Sequence, residues 1–216
     1  MPVPPLLKVD GSNRGDHHYL EEEHKCFFFH EYTARKGYAH SDGNGLVINL
    51  KKSVLLKGQP QYKYKGQAIA TCAAMLRAAL EKSAWVFNDA TIAPIPPSKV
   101  STHPEYDDRM MQIVAKACDG KHADVRNLLQ QGQSYDASHM QADGQRKKPQ
   151  ELEALYTLLA PAPKKTVILV DDVLTTGAHF VAAQSVIRTA FPDRKVLGIF
   201  MARRVPTNPF EDFDAL

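Results

Sequence analysis

The chain has 216 residues, 44% of them hydrophobic and 24% charged, close to the globular average, which excludes general disorder. Its 27 Lys and Arg against 24 Asp and Glu leave a net charge of +3, less than expected of a protein that grips nucleic acid mainly by neutralising phosphates. The longest run without Asp, Glu, Lys or Arg, Val173 to Ile187, is shorter than the ~20 residues of a membrane helix and carries Thr175, Thr176, His179 and Gln184. The N-terminus has no basic segment followed by an apolar core, so neither a membrane span nor a secretory signal is expected.

The stretch to about Asp16 is rich in Pro, Gly and polar residues and reads as an irregular arm. Lys25 to Thr33 is aromatic and β-favouring, and Leu46 to Leu50 reads as a second strand. Together they predict a β-hairpin with a long tip at Tyr38 to Gly45. From Gly66 the period changes: Ile69, Cys72, Ala73, Leu76 and Leu80 fall on one helical stripe. Ala90 to Lys99 begins as a short apolar strand and is stopped by prolines. Met110, Ile113, Val114 and Ala117 mark another helix, and Val125 to Leu129 a further strand. Gln130 to Gln150 is polar and too long for an ordinary connection, which makes it a functional-loop candidate. A short helix over Leu152 to Leu159 follows, then a strand at Thr166 to Val170, a helix from Gly177 and a strand at Val196 to Met201. Strands alternating with helices predict an α/β fold with a parallel sheet covered on both faces. The expected division is a hood subdomain over residues 1–60, an α/β core over 61–205 and a peripheral tail over 206–216. Cys26, Cys72 and Cys118 are isolated, without a CxxC pair, and read as small buried hydrophobes in a reducing cytoplasm. His17, His18, His24 and His30 lack metal-site spacing and read as surface or core histidines.

Chemistry concentrates in Val167 to Phe180. Apolar residues drive a strand into the sheet centre, and Asp171 and Asp172 sit where it is expected to emerge, brought to one site by the following turn. Open parallel sheets bind ligands at this end of their strands. In the loop that follows, Gly177 permits close backbone approach, and the successive amides, the helix N-terminus and the hydroxyls of Thr175 and Thr176 suit a phosphate. The acids cannot bind that phosphate and suit a diol instead, directly or through a divalent cation. A ribose 5-phosphate satisfies both halves. A strand end with a threonine cap accounts for Thr176 but leaves the acid pair unexplained. The chain has no P-loop, no GxGxxG and no HExxH.

Asp171-Asp-Val-Leu-Thr-Thr-Gly-Ala178 resembles the PRPP-binding signature of type I phosphoribosyltransferases: a hydrophobic strand, two acids, two variable residues, then a small residue, Thr and Gly. The resemblance extends more loosely from about Gly66 to Arg203. It implies a type I phosphoribosyltransferase-like sheet with a small N-terminal hood, and it is loosely ComF-like without that group's zinc-finger cysteines. It further implies that Asp171 and Asp172 contact ribose hydroxyls, serve catalysis and hold Mg²⁺ through those hydroxyls or water, and that Thr175, Thr176, Gly177, Ala178 and His179 bind the 5-phosphate. His179 departs from the usual Thr or Ser, leaving its backbone N–H as the available contact. By position in the family, Ser98 and Lys99 are pyrophosphate candidates, with an ordinary exposed loop as the rival reading. Residues 133–150 would be the mobile loop, bringing Arg146, Lys147 and Lys148 to the leaving group, although composition alone favours a solvated charged face. Tyr32 and Arg35 are base-pocket candidates against simple hairpin packing, and Arg109 could reach the site, although a helix-surface ion pair is the simpler reading.

The implied activity is transfer of ribose 5-phosphate from PRPP to a purine, pyrimidine or related nitrogen acceptor with release of pyrophosphate, by a homodimer. No membrane is expected, and nucleic acid is not required but not excluded. The alternatives are a PRPP- or nucleotide-sensing module without turnover, and an effector of a toxin or phage-defence system that uses the same pocket.

Overall fold

The computed structural model describes residues 3–83, 85–135 and 147–207. In chain order its elements are β1 (Leu7–Lys8), β2 (Lys25–Thr33), α1 (Asp42–Leu50), α2 (Lys63–Glu81), α3 (Trp85–Asp89), β3 (Ala90–Pro94), α4 (Arg109–Ala117), β4 (Asp124–Val125), β5 (Leu129–Gln131), α5 (Pro149–Glu153), β6 (Tyr156–Leu158), β7 (Thr166–Leu174), α6 (Ala178–Ala190) and β8 (Lys195–Val205). Six strands form one sheet in the order β1-β2-β8-β7-β3-β4. β2, β8, β7, β3 and β4 run parallel, and β1 is an antiparallel edge. β5 and β6 form a separate antiparallel pair. The architecture is α/β, with a mostly parallel sheet flanked by helices.

The period of two along β7 explains why its apolar run is continuous. Ile168 and Val170 enter the cluster that holds Ile69, Cys72 and Leu76 of α2 and Ile113 and Val114 of α4. Val167 and Leu169 enter a second cluster with Phe180, Ala183 and Ile187 of α6 and Leu152 of α5. A strand covered on both faces has no position for an exposed polar residue. The three cysteines are free and buried in these clusters, and burial pushes the Cys118 thiol up to about 11 and that of Cys72 to about 12.

The crossovers place a crevice. β3 leads through α4 to its outer neighbour β4, and β7 leads through α6 to β8 on the other side. α4 and α6 pack in different clusters, on opposite faces of the sheet. The carboxyl ends of β3 and β7 therefore flank the point where the connections diverge, the general ligand position in open α/β sheets.

Three expectations change. The hairpin of Lys25 to Leu50 does not form: Leu46 to Leu50 is the second half of helix α1, and β2 pairs in parallel with β8 inside the main sheet. Ser41 caps α1, its hydroxyl accepting from the Asn44 N–H at 3.1 Å, and Val47 and Leu50 bury at helical rather than strand spacing. The strand expected over Val125 to Leu129 divides: β4 joins β3, and Leu129 leaves to pair with β6. The helix expected over Leu152 to Leu159 ends at Glu153, after which Tyr156 to Leu158 is strand.

Asn44 locks α1 to the end of β2. Its Oδ1 accepts from the Thr33 N–H at 3.0 Å and its Nδ2 donates to the Thr33 and Lys36 carbonyls at 2.9 and 3.1 Å. Gly43 makes that approach possible, because a Cβ there would lie 2.0 Å from the Glu31 carbonyl oxygen. Gly43→Ala is expected to cost about 1–3 kcal/mol by forcing helix and strand apart. Urea denaturation checks this, and an unchanged midpoint would show that the contact is easily relieved.

Candidate functional site

β7 continues to Leu174, so Asp171 and Asp172 lie within the strand rather than at its exit. Asp172 is buried, and two cations from different elements meet it. Arg109, the first residue of α4, donates to Oδ2 from Nη2 at 2.5 Å and from Nε at 3.2 Å. Lys51, the residue that closes α1, places Nζ 3.2 Å from Oδ1. Arg109 also donates to Asp107 at 2.7 Å, and Asp107 accepts at 2.6 Å from buried Lys65, which donates in turn to the Leu50 and Lys52 carbonyls. A network of alternating charge thus runs from the end of α1 through α4 to β7. Of the two readings of Arg109, the structure shows the reach to the site, as a partly buried contact with the second acid of the signature.

The two carboxylates are driven apart. Burial alone would raise both, but Lys51 and Arg109 outweigh it at Asp172 and hold that carboxyl well below the ordinary range. At Asp171, burial and the neighbouring Asp172 charge push the pKa up to about 7. The Asp172 N–H donates to Asp171 Oδ1 at 2.8 Å, a partial compensation. Asp171 faces the crevice shared with Pro94, Ile95, Pro97, Tyr106 and Arg109.

Past Leu174 the chain turns through Thr175 and Thr176 to Gly177, which adopts φ 87° as the cap of α6. Only glycine takes that conformation freely. The Tyr19 N–H donates to the Thr176 carbonyl at 2.9 Å and His17 Nδ1 lies 2.5 Å from the Thr175 carbonyl. Among the described residues, nothing accepts from the backbone N–H groups of Thr176, Gly177, Ala178 or His179. Successive free amides at a helix N-terminus are anion donors. His179 sits to one side, its Nδ1 2.9 Å from the Tyr156 hydroxyl and its ring stacked on Tyr135. The tyrosine hydroxyl both donates and accepts, so either neutral tautomer of the imidazole satisfies this contact. Burial lowers the His179 pKa to about 4, and the ring is neutral at pH 7.

Compared with known proteins, the chain matches no protein-family model and no curated sequence.

The remaining sequence candidates divide. Ser98 and Lys99 are half-buried in the loop after β3, where the Ser98 carbonyl accepts from the Tyr135 N–H at 3.0 Å. The crevice beside Asp171 is lined by Pro97 and not by these two residues. Lys147 lies over the Tyr135 ring, 5.6 Å from its centroid, and Lys148 caps α5, its N–H donating to Glu151 at 2.8 Å. Arg146 and most of the expected mobile loop lie outside the described residues. Tyr32 is half-buried against Val47, Val173 and Ala202, and Arg35 is exposed with φ 65°. Among the described residues, no three His, Cys, Asp or Glu side chains converge as a self-contained metal site. Lys51 carried no signal in the sequence, because its role depends on α1 being a helix that ends against β7.

Proposed function

We propose that this chain is a type I phosphoribosyltransferase-like enzyme that binds PRPP with Mg²⁺ and transfers ribose 5-phosphate to a nitrogenous base, releasing pyrophosphate. The observation that carries the reading is the pairing, on one strand and its turn, of two acids with a run of backbone amides that have no acceptor among the described residues. The acid end suits the ribose hydroxyls and the amide end suits the 5-phosphate. Hydrogen bonds to a charged group are worth ~1.5–3 kcal/mol each, enough for several to hold a phosphomonoester.

The unequal acids suit unequal roles. Asp172, held ionised by Lys51 and Arg109, keeps a fixed negative charge near the sugar, where an oxocarbenium-like centre develops. Asp171, with a pKa of about 7, is suited to take a proton from the attacking nitrogen. Magnesium is commonly held by one or two carboxylates together with substrate phosphates; with Asp172 engaged by Arg109 and Lys51, Asp171 is the acid that would hold it, and bound there it would neutralise charge on the leaving pyrophosphate. Lys51 and Arg109 add positive charge beside the same position.

Calorimetry with PRPP and MgCl₂ tests the binding half. Asp171→Asn is expected to weaken PRPP by about tenfold or more, a loss of ~1.4 kcal/mol at least. Equal affinity in wild type and variant would overturn the acid assignment. Pyrophosphate release across a panel of purine and pyrimidine bases tests turnover; PRPP binding without release for any base would point to a sensor.

A further inference from the structure

The N-terminal segment, which the sequence presents as an irregular arm, runs beside the turn after β7. Asp16 is held by Arg203 of β8 at 2.7 Å, and His17, Tyr19 and Leu20 lie against the loop. His17, only 1% exposed, meets the Thr175 carbonyl through Nδ1, the Tyr19 N–H meets the Thr176 carbonyl, and Leu20 fills the space beside Gly177. A Cβ on Gly177 would lie 2.8 Å from the Leu20 side chain. These partners are more than 150 residues apart in sequence, so the contact belongs to the tertiary fold rather than to local turn chemistry.

The chemistry of His17 is constrained. A carbonyl only accepts, so Nδ1 carries the proton. Nε2 is buried without a partner among the described residues, and it is then a bare acceptor rather than a stranded N–H. Protonation would bury a second N–H without a partner and a cation near Arg203; burial accordingly holds the imidazole below its ordinary pKa. His17 is a neutral donor with a fixed tautomer.

That donor sets the direction of the amides. In a trans peptide the carbonyl and the following N–H point opposite ways, and the single cis bond among the described residues is at Ala160–Pro161. Holding the Thr175 carbonyl toward His17 turns the Thr176 N–H away from the N-terminal segment. Holding the Thr176 carbonyl toward Tyr19 turns the Gly177 N–H the same way. Without these contacts either peptide is free to rotate and present a carbonyl, which would repel an anion.

We propose that His17 is a positioning residue of the anion loop: its Nδ1–H fixes the Thr175 peptide so that the amides of the turn face the phosphate end of a bound sugar phosphate. The proposal rests on the PRPP reading of the site. It makes the segment around Asp16 to Leu20 part of the binding machinery.

The test compares wild type, His17→Asn and His17→Gln, each verified as folded by its melting transition, with ribose 5-phosphate and inorganic pyrophosphate titrated separately. The Asn amide nitrogen falls near the place of Nδ1 and preserves the donor, whereas that of Gln falls near Nε2. His17→Asn is expected to bind ribose 5-phosphate within about threefold of wild type and His17→Gln at least about tenfold more weakly, a difference of ~1.4 kcal/mol for tenfold. Pyrophosphate, which the PRPP reading assigns to the leaving-group end rather than to the turn, is expected to bind all three alike. Equal ribose 5-phosphate affinity for Asn and Gln variants, or equal weakening of both ligands by Gln, overturns the positioning role. Failure of the wild type itself to bind ribose 5-phosphate overturns the PRPP reading on which the proposal stands, and is read from wild type alone.

Discussion

Asp172→Asn is expected to lower the stability of the folded chain by about 3 kcal/mol at pH 8, because it leaves Arg109 and Lys51 facing each other without the charge that holds them. Breaking a buried pair by removing one partner costs about 3–5 kcal/mol, and the remaining solvent access of the two cations places this site at the low end. The sign of the pH dependence follows from the depressed folded-state pKa of Asp172. The stabilisation is fully present above the unfolded carboxyl value near 4 and is lost as pH falls toward the folded value. Urea denaturation at pH 8 measures the loss, and a cycle with Arg109→Met identifies its cause. With one of the two cations already removed, Asp172→Asn costs less. The same cost in both backgrounds would mean that the ion pair is not the origin.

The layered core was legible in the sequence because its signals are local. Thr166 to Val170 is an unbroken apolar run, and Ile69 to Leu80 and Met110 to Ala117 carry clear helical stripes. Leu46 to Leu50 was misread because a short apolar run fits either period. The deciding features were the Ser41 cap and the close approach of Gly43 to Glu31, and the second is invisible without β2. The acid pair and the Thr-Gly turn were legible as a cluster of residue types with a specific spacing. Of the groups that tune them, Arg109 alone was within reach of the sequence. Lys51, Arg109, Tyr156 and His17 come from four separate segments, and the tertiary fold gathers those segments around the end of β7. Electrostatic tuning of this kind has no sequence period, so single-chain reading finds the reactive residues and misses most of their partners.

Asp171→Asn is expected to do the opposite of the change one residue later and stabilise the chain at pH 8. The Asp171 pKa is raised from 3.8 to about 7, so the folded state holds a proton that the unfolded state releases. A group of this kind stabilises fully below its unfolded value, and the benefit is lost as pH rises through the folded value. Between about pH 4 and pH 7 the wild type therefore loses stability through this residue, and above pH 7 it carries an unfavourable buried charge beside Asp172. At 1.36 kcal/mol per pKa unit the upper bound is about 4 kcal/mol, and partial solvent access brings the expected gain to about 1–2 kcal/mol. Asn resembles the protonated acid, and its Oδ1 still accepts from the following N–H. The gain is expected at pH 8 and shrinks toward zero at pH 4.5 when urea midpoints of variant and wild type are compared. A gain that is the same at both pH values would mean that Asp171 does not titrate near neutrality. Paired with weaker PRPP binding by the same variant, the pH 8 gain would identify Asp171 as a residue kept against the stability of its own fold, the pattern expected of a group retained for chemistry.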